Sequence, residues 1–192
     1  MKTKKQSFVF YILSLIFLSA CEENFVPKPM GLLKVDFPTN DGYTFQDNQC
    51  PFSFNVPKYV FVVPRDSNEN FCQKNIVMPF FNATLHCSYM TLNNNLSEAS
   101  AQCQRLAYEH RVKANAIDEY IVHIDSNNVH GVVYKLEGNV ASNFQFYLTD
   151  STHHFFRGAL YFNARPNADS LKPYLDFVVK DLEKMIESFE WK

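Results

Sequence analysis

Apolar and polar side chains alternate along much of the chain, and the points where the period of two gives way to spacings of three and four mark out its elements. Leu33, Val35 and Phe37 alternate with Lys34 and Asp36, which predicts a short strand closed by Pro38. Residues 52–63 are apolar but interrupted by Pro57, so they read as one edge strand or two short ones. Residues 76–81 and 83–90 form two further runs around Pro79 and Asn82. In the second, Leu85, Cys87 and Tyr89 alternate with His86 and Ser88, so His86 falls on the polar side of a half-buried strand. Residues 117–124 and 132–136 continue the strand pattern on either side of a polar turn at 125–131, and Gly138-Asn139 marks a bend.

Two segments switch to helical spacing. Leu96, Ala99, Cys103, Leu106, Ala107 and His110 recur at three and four, predicting a helix over about 96–114. Asn95 and Glu98 are spaced for a capping box at its start. Leu171, Tyr174, Leu175, Val178, Leu182, Met185 or Ile186, and Phe189 predict a second helix over about 170–188, entered through Pro166-Asn167-Ala168-Asp169-Ser170. Pro173 is expected in its first turn, where a missing N–H costs nothing. Trp191 follows as a closing plug.

The densest stretch is 143–163, two aromatic runs joined by the polar turn Asp150-Ser151-Thr152-His153, which predicts a core hairpin. Strands dominate, and they do not alternate regularly with helices as a parallel sheet requires. The expected fold class is therefore α+β: a mostly antiparallel sheet packed against the two helices, in one domain spanning 31–192.

The N-terminus is a separate object. Lys2, Lys4 and Lys5 precede an apolar run at 8–18, too short to span a bilayer comfortably, which reads as a signal peptide over residues 1–20. The run ends in Leu18-Ser19-Ala20-Cys21, which resembles a bacterial lipobox. Cleavage before Cys21 and acylation of its sulfur, with the new amino terminus open to a further chain such as palmitate, would hold the protein on a membrane. Residues 21–30, with two acids and two prolines, then form a lipidated tether. Removing residues 1–20 takes three lysines and no acids. The formal charge moves from −2 to −5, with 15 basic against 20 acidic side chains, which argues against nucleic acid as a partner.

Export places the remaining cysteines where disulfides persist. Cys50, Cys72, Cys87 and Cys103 allow three pairings. Cys50–Cys72 is favoured, because both flank strand-like segments in one polar, loop-rich region, whereas Cys87 and Cys103 lie on apolar faces. No two cysteines have the short spacing of a zinc site.

The hairpin also carries reactive-looking side chains. Asp150, Ser151 and His154 suggest a hydrolase triad, but three residues of one tight turn rarely converge as a triad must, and no glycine shapes a nucleophile elbow. Turn chemistry, with Asp150 and Ser151 bonding the backbone, is the better reading. His153 and His154 are adjacent, so in a strand they point to opposite faces and cannot share a metal; His86 and His123 join them only if the fold brings them there. The remaining candidate is a binding patch of Gln145, Tyr147, Thr149, Arg157 and Tyr161. It exists only if the turn holds an odd number of residues, because an even number puts the two strands' members on opposite faces.

The motifs Lys28-Pro29-x-Gly31, Val35-Asp36-Phe37-Pro38, Cys50-Pro51-Phe52, Leu85-His86-x-Ser88-Tyr89, Gly138-Asn139-x-Ala141-Ser142-x-x-Gln145-Phe146-Tyr147-Leu148-Thr149-Asp150-Ser151 and Arg157-Gly158-Ala159-Leu160-Tyr161-Phe162 are similar to those of the gliding-motility lipoprotein GldD family of Bacteroidetes, as are Pro166-Asn167-x-Asp169-Ser170 and Phe189-x-Trp191-Lys192. The resemblance spans nearly the whole mature chain. It implies a lipid-anchored envelope protein on the periplasmic side of the inner or outer membrane, accessory to gliding and the type IX secretion apparatus. Such a protein would act by binding other envelope motility or secretion proteins. It also implies cysteines at 50 and 72, and it brings no catalytic residue, cofactor or metal. The alternative from the residues is a periplasmic ligand-binding module or hydrolase using the 145–161 patch.

Overall fold

The computed structural model describes residues 35–39, 41–65 and 71–192. The chain divides into two units, Met1–Phe37 and Pro38–Lys192. The signal peptide, Cys21 and the tether lie outside the described residues. So does part of the strand expected around Leu33–Phe37; its described residues, 35–37, carry no strand.

In the larger unit two meanders share one sheet. The first runs through β3 (Phe61–Pro64), β4 (Lys74–Met78) and β5 (Ala83–Thr91), and the second through β6 (Ala114–Ile124), β7 (Val129–Gly138), β8 (Phe144–Thr149) and β9 (His154–Phe162). β9 returns beside β5, giving a seven-stranded antiparallel order β3-β4-β5-β9-β8-β7-β6 among the described residues. The link from β5 to β6 must therefore cross the sheet. Helix α1 (Leu96–Tyr108) makes that crossing and covers one face.

The other face carries the larger core. β1 (Gly42–Gln46), β2 (Phe52–Pro57) and the two-residue β10 (Glu190–Trp191) form a small antiparallel sheet in the order β1-β2-β10. Helix α2 (Ala168–Glu187) lies beside it. Residues 52–63 are thus two strands separated after Pro57, and they belong to different sheets. Fully buried rings meet between the layers: Phe52 and Phe156 tilted at 4.9 Å, Phe156 and Phe189 tilted at 5.2 Å, and Phe54 stacked on Phe189 at 6.0 Å. Each such ring removes 150–250 Å² from water, so this cluster is the main apolar contribution. Gly158 sits opposite Phe146 in the hairpin, and a Cβ there would run into the Phe146 ring; the glycine leaves the space that ring fills.

The first helix is shorter than its apolar stripe suggested. It buries Ala99, Cys103 and Ala107, but the next positions on that face are His110 and Arg111, which have nothing to gain from the core. The α-helix stops at Tyr108, a 3-10 turn spans Glu109–Val112, and β6 opens at Ala114 where helix was expected. The capping box does not form either: Asn95 accepts from the Asn93 N–H at 2.8 Å rather than from its own helix. The second helix is entered as expected, with Asn167 accepting from Ser170 N–H. Pro173, however, lies in the second turn and deprives the Asp169 carbonyl of its intrahelical donor.

The small sheet is tied to the large one beside Cys50 and Cys72, which are bonded as favoured. Lys74 of β4 reaches Asp47 of the β1–β2 loop at 2.7 Å, and its ammonium lies 5.8 Å from the centre of the Phe45 ring. That bond, with the Gln49 N–H, holds the Asp47 carboxyl below the usual carboxylate range. The chain end docks on the same loop, Lys192 donating to the Asp47 and Pro51 carbonyls.

Candidate functional site

Thr149 pairs with Phe155, Tyr147 with Arg157 and Gln145 with Ala159. Five residues therefore separate the last paired positions, an odd number, and Gln145, Tyr147, Thr149, Arg157 and Tyr161 all fall on one face. Arg157 donates to Gln145 Oε1 at 3.1 Å, and the Tyr147 ring stacks on Phe155 at 5.1 Å. This is the face that α1 covers. Gln145 is 2 % exposed and Thr149 3 %, while Tyr147, Arg157 and Tyr161 are half-buried. Cys103 of α1 lies against Arg157. Burial pushes its thiol up to about 11, with the guanidinium pulling the other way. Thr149 Oγ1 accepts from the Ser151 N–H, and Tyr161 packs edge-on against His86.

The turn residues are occupied by the turn. Asp150 accepts from the N–H groups of Thr152, His153 and His154 at 2.8–3.0 Å. Burial pushes its carboxyl up, but these donors and the Thr152 hydroxyl outweigh it and hold it at about 2. A carboxylate spent on three backbone donors closes a loop. His154 bonds the Tyr89 hydroxyl at 2.8 Å and stacks on Trp191, while His153 is exposed. His86 bonds Asn75, and His123 pairs with His130 and Asp125 at the far end of the sheet. No group of three or more metal-ligating side chains converges among the described residues.

A further concavity has no counterpart in the sequence pattern. A cleft of about 550 Å³ opens between the β6–β7 end of the sheet and α2 from Ala168 to Glu183. Asp118 and Tyr120 of β6 and Lys135 and Glu137 of β7 form one wall, and Leu171, Leu175 and Val179 of α2 the other. Its charged lining holds five acids, Asp118, Glu137, Asp169, Asp176 and Glu183, against Lys135, Lys172 and Lys180. Two of the lysines are paired, Lys135 to Glu183 at 2.6 Å and Lys172 to Asp176 at 3.4 Å, and Lys135 also caps the Tyr120 ring. Asp118, Glu137 and Asp169 form no ion pair among the described residues. The surplus is acidic, which suits cationic or mixed surfaces rather than polyanions. The one signal in the sequence was the α2 stripe itself. Its first members, Leu171, Tyr174 and Leu175, are only half-buried, and full burial begins at Val178.

The family described as gliding motility lipoprotein GldD matches residues 22–191 of this chain. Nothing among the curated proteins matches. Among solved structures, the solution structure of cyanobacterial PsbP (CyanoP) from Synechocystis sp. PCC 6803 is similar, with a TM-score of 0.52 and 9% identity, covering 85% of this chain and 99% of that one. At that identity the likeness is one of fold.

Proposed function

Because the chain belongs to the gliding motility lipoprotein GldD family, its setting is the cell envelope and its role accessory to gliding, and on that premise we propose that it is held to the membrane by lipid on Cys21 and works by binding other envelope proteins of the motility and type IX secretion apparatus. The observation that supports a binding role is the cleft between β6–β7 and α2. It offers half-buried leucines and a valine beside unpaired carboxylates, the mixture from which protein interfaces are made. The described part of the chain holds no helix long and apolar enough to cross a membrane, so attachment through the lipid carries the anchoring in this reading.

The 145–161 patch is a weaker candidate for docking. Gln145 and Thr149 lie beneath α1, so a ligand could reach them only by displacing that helix. Arg157 and Tyr161, at the patch margin, are the members left for a partner to touch.

Two substitutions test the proposal. Cys21→Ala should release the protein from membranes and impair spreading. Leu175→Asp, half-exposed in the cleft, should leave the protein anchored and folded but reduce its cross-linking to envelope partners in intact cells. Normal spreading by the released protein, or an unchanged cross-linking pattern for Leu175→Asp, would count against it.

A further inference from the structure

β6 and β7 are joined by the tight turn Asp125–Asn127, closed by Asn128 at a φ of +49°. The turn sets His123 directly opposite His130, so both rings stand on one face of the hairpin. Their Nδ1 atoms meet at 2.9 Å, with the ring centres 4.8 Å apart. The outer nitrogens are engaged by the same turn. His123 Nε2 lies 2.7 Å from Asp125 Oδ1, and His130 Nε2 lies 3.2 Å from Asn128 Oδ1. Asn127 donates to the Phe189 carbonyl at 3.0 Å, which ties the turn to the end of the chain.

A neutral imidazole carries one N–H, and carboxylate and amide oxygens only accept. Each ring therefore places its hydrogen on Nε2, and two bare Nδ1 lone pairs face one another. Such a contact calls for a positive charge between the nitrogens. We propose that His123 and His130 form a transition-metal site that takes a divalent copper ion through their two Nδ1 atoms, with Asp125 and Asn128 orienting the rings from behind.

The bite of the pair selects the metal. Bonds of about 2.0–2.1 Å from each imidazole to one ion, across nitrogens 2.9 Å apart, enclose an angle of about 90°. Tetrahedral zinc would need the nitrogens about 3.3–3.4 Å apart. Neighbouring positions of tetragonal copper(II) meet at a right angle, and copper heads the affinity order for nitrogen ligands. A carboxylate behind a ligating histidine fixes its tautomer and raises its basicity, which is the place Asp125 holds. The His123 side chain is 60 % exposed, so water completes the coordination. β6 is the last strand of the sheet, and an ion shared with β7 would fasten its end. The inference goes beyond the anchoring and binding role and does not depend on it.

The test is a copper(II) titration of the full-length chain, made in its own cells without a histidine tag, extracted in detergent and stripped of metal by a chelator. Electron paramagnetic resonance should show one equivalent of copper bound by two imidazole nitrogens, and copper should raise the Tm of the wild type. His123→Gln and His130→Gln should each weaken uptake by more than the roughly 100-fold that loss of an outer partner costs, and neither should gain Tm from copper. Asp125→Asn should weaken it about 10–100-fold while keeping the two-nitrogen spectrum. His86→Gln and His153→Gln, which alter rings elsewhere on the surface, should bind as the wild type does. Three results would each overturn the inference. The wild type may take up no copper, which would mean that a proton alone bridges the pair. It may show a one-nitrogen spectrum, or uptake that survives both His123→Gln and His130→Gln, either of which would mean an adventitious ion only. All are read without reference to spreading or partner capture, so failure here leaves the proposed role standing or falling by its own test.

Discussion

Replacing Asp47 by alanine should destabilise the domain out of proportion to the surface it removes, because it strands the Lys74 ammonium. The Lys74 side chain is 7 % exposed and Asp47 26 %, and they meet at 2.7 Å between the two sheets. Removing one partner of a buried ion pair costs 3–5 kcal/mol, and the partial exposure of Asp47 lets water reach the vacated site, so a loss of about 3 kcal/mol is expected. In a domain of this size that lowers Tm by about 6–12 °C. Lys74→Met keeps the stem and removes the charge, leaving a partly solvated carboxylate still bonded to the Gln49 N–H. It should cost about 1 kcal/mol. The double variant should then be more stable than Asp47→Ala alone, by roughly 2 kcal/mol, in urea denaturation with the disulfide intact. The pH dependence has a definite sign. A carboxyl whose folded pKa is lowered contributes stability that is present above its unfolded value, near 4, and is lost as pH falls through the folded value. The gap between wild type and Asp47→Ala should therefore close in acid. A change below about 0.5 kcal/mol for Asp47→Ala, or strict additivity in the double variant, would refute the reasoning.

Three other outcomes follow from the same geometry. Cys72→Ser opens a bridge between residues 22 apart in sequence and should cost about 3 kcal/mol in the same assay. Asp150→Ala should remove acid sensitivity between about pH 4 and 2. The wild-type carboxyl, held at about 2, contributes roughly 2 kcal/mol above that window and loses it as pH falls through it; an unchanged acid profile would show that the three turn N–H bonds are not what holds it there. Ser151 has a φ of +69°, so Ser151→Gly should be neutral to about 0.5 kcal/mol stabilising by thermal denaturation and leave spreading intact. Loss of spreading in a stable Ser151→Gly protein would restore a chemical role to that hydroxyl.

The hairpin was legible because period-two alternation and turn residues are local facts, and the odd turn needed only the register to confirm which side chains share a face. What escaped was the cover. Whether Gln145 meets solvent depends on where the β5–β6 connection runs, and nothing in its neighbourhood encodes that α1 crosses above it. The overlong first helix failed for a similar reason. His110 continues the spacing of three, but spacing rewards a helix only while there is a core to face, and that core ends at Ala107. Pro173 was misplaced by a few residues because helix entry is fixed by Asn167, well before the apolar stripe begins.

The cleft belongs to a different class of feature, set by elements distant in sequence. Composition and pattern determined the α+β class, the aromatic core, the favoured disulfide and, through the lipobox, the expectation of an anchor, since each rests on contacts or signals within a short stretch. Only the tertiary structure decided which faces are covered. The helix that joins the two meanders covers one face of the sheet out to β6, and on the other face the β6 end is left to α2. From Ala168 to Glu183 α2 stands off it far enough to leave the gap lined by Asp118, Tyr120 and Leu175.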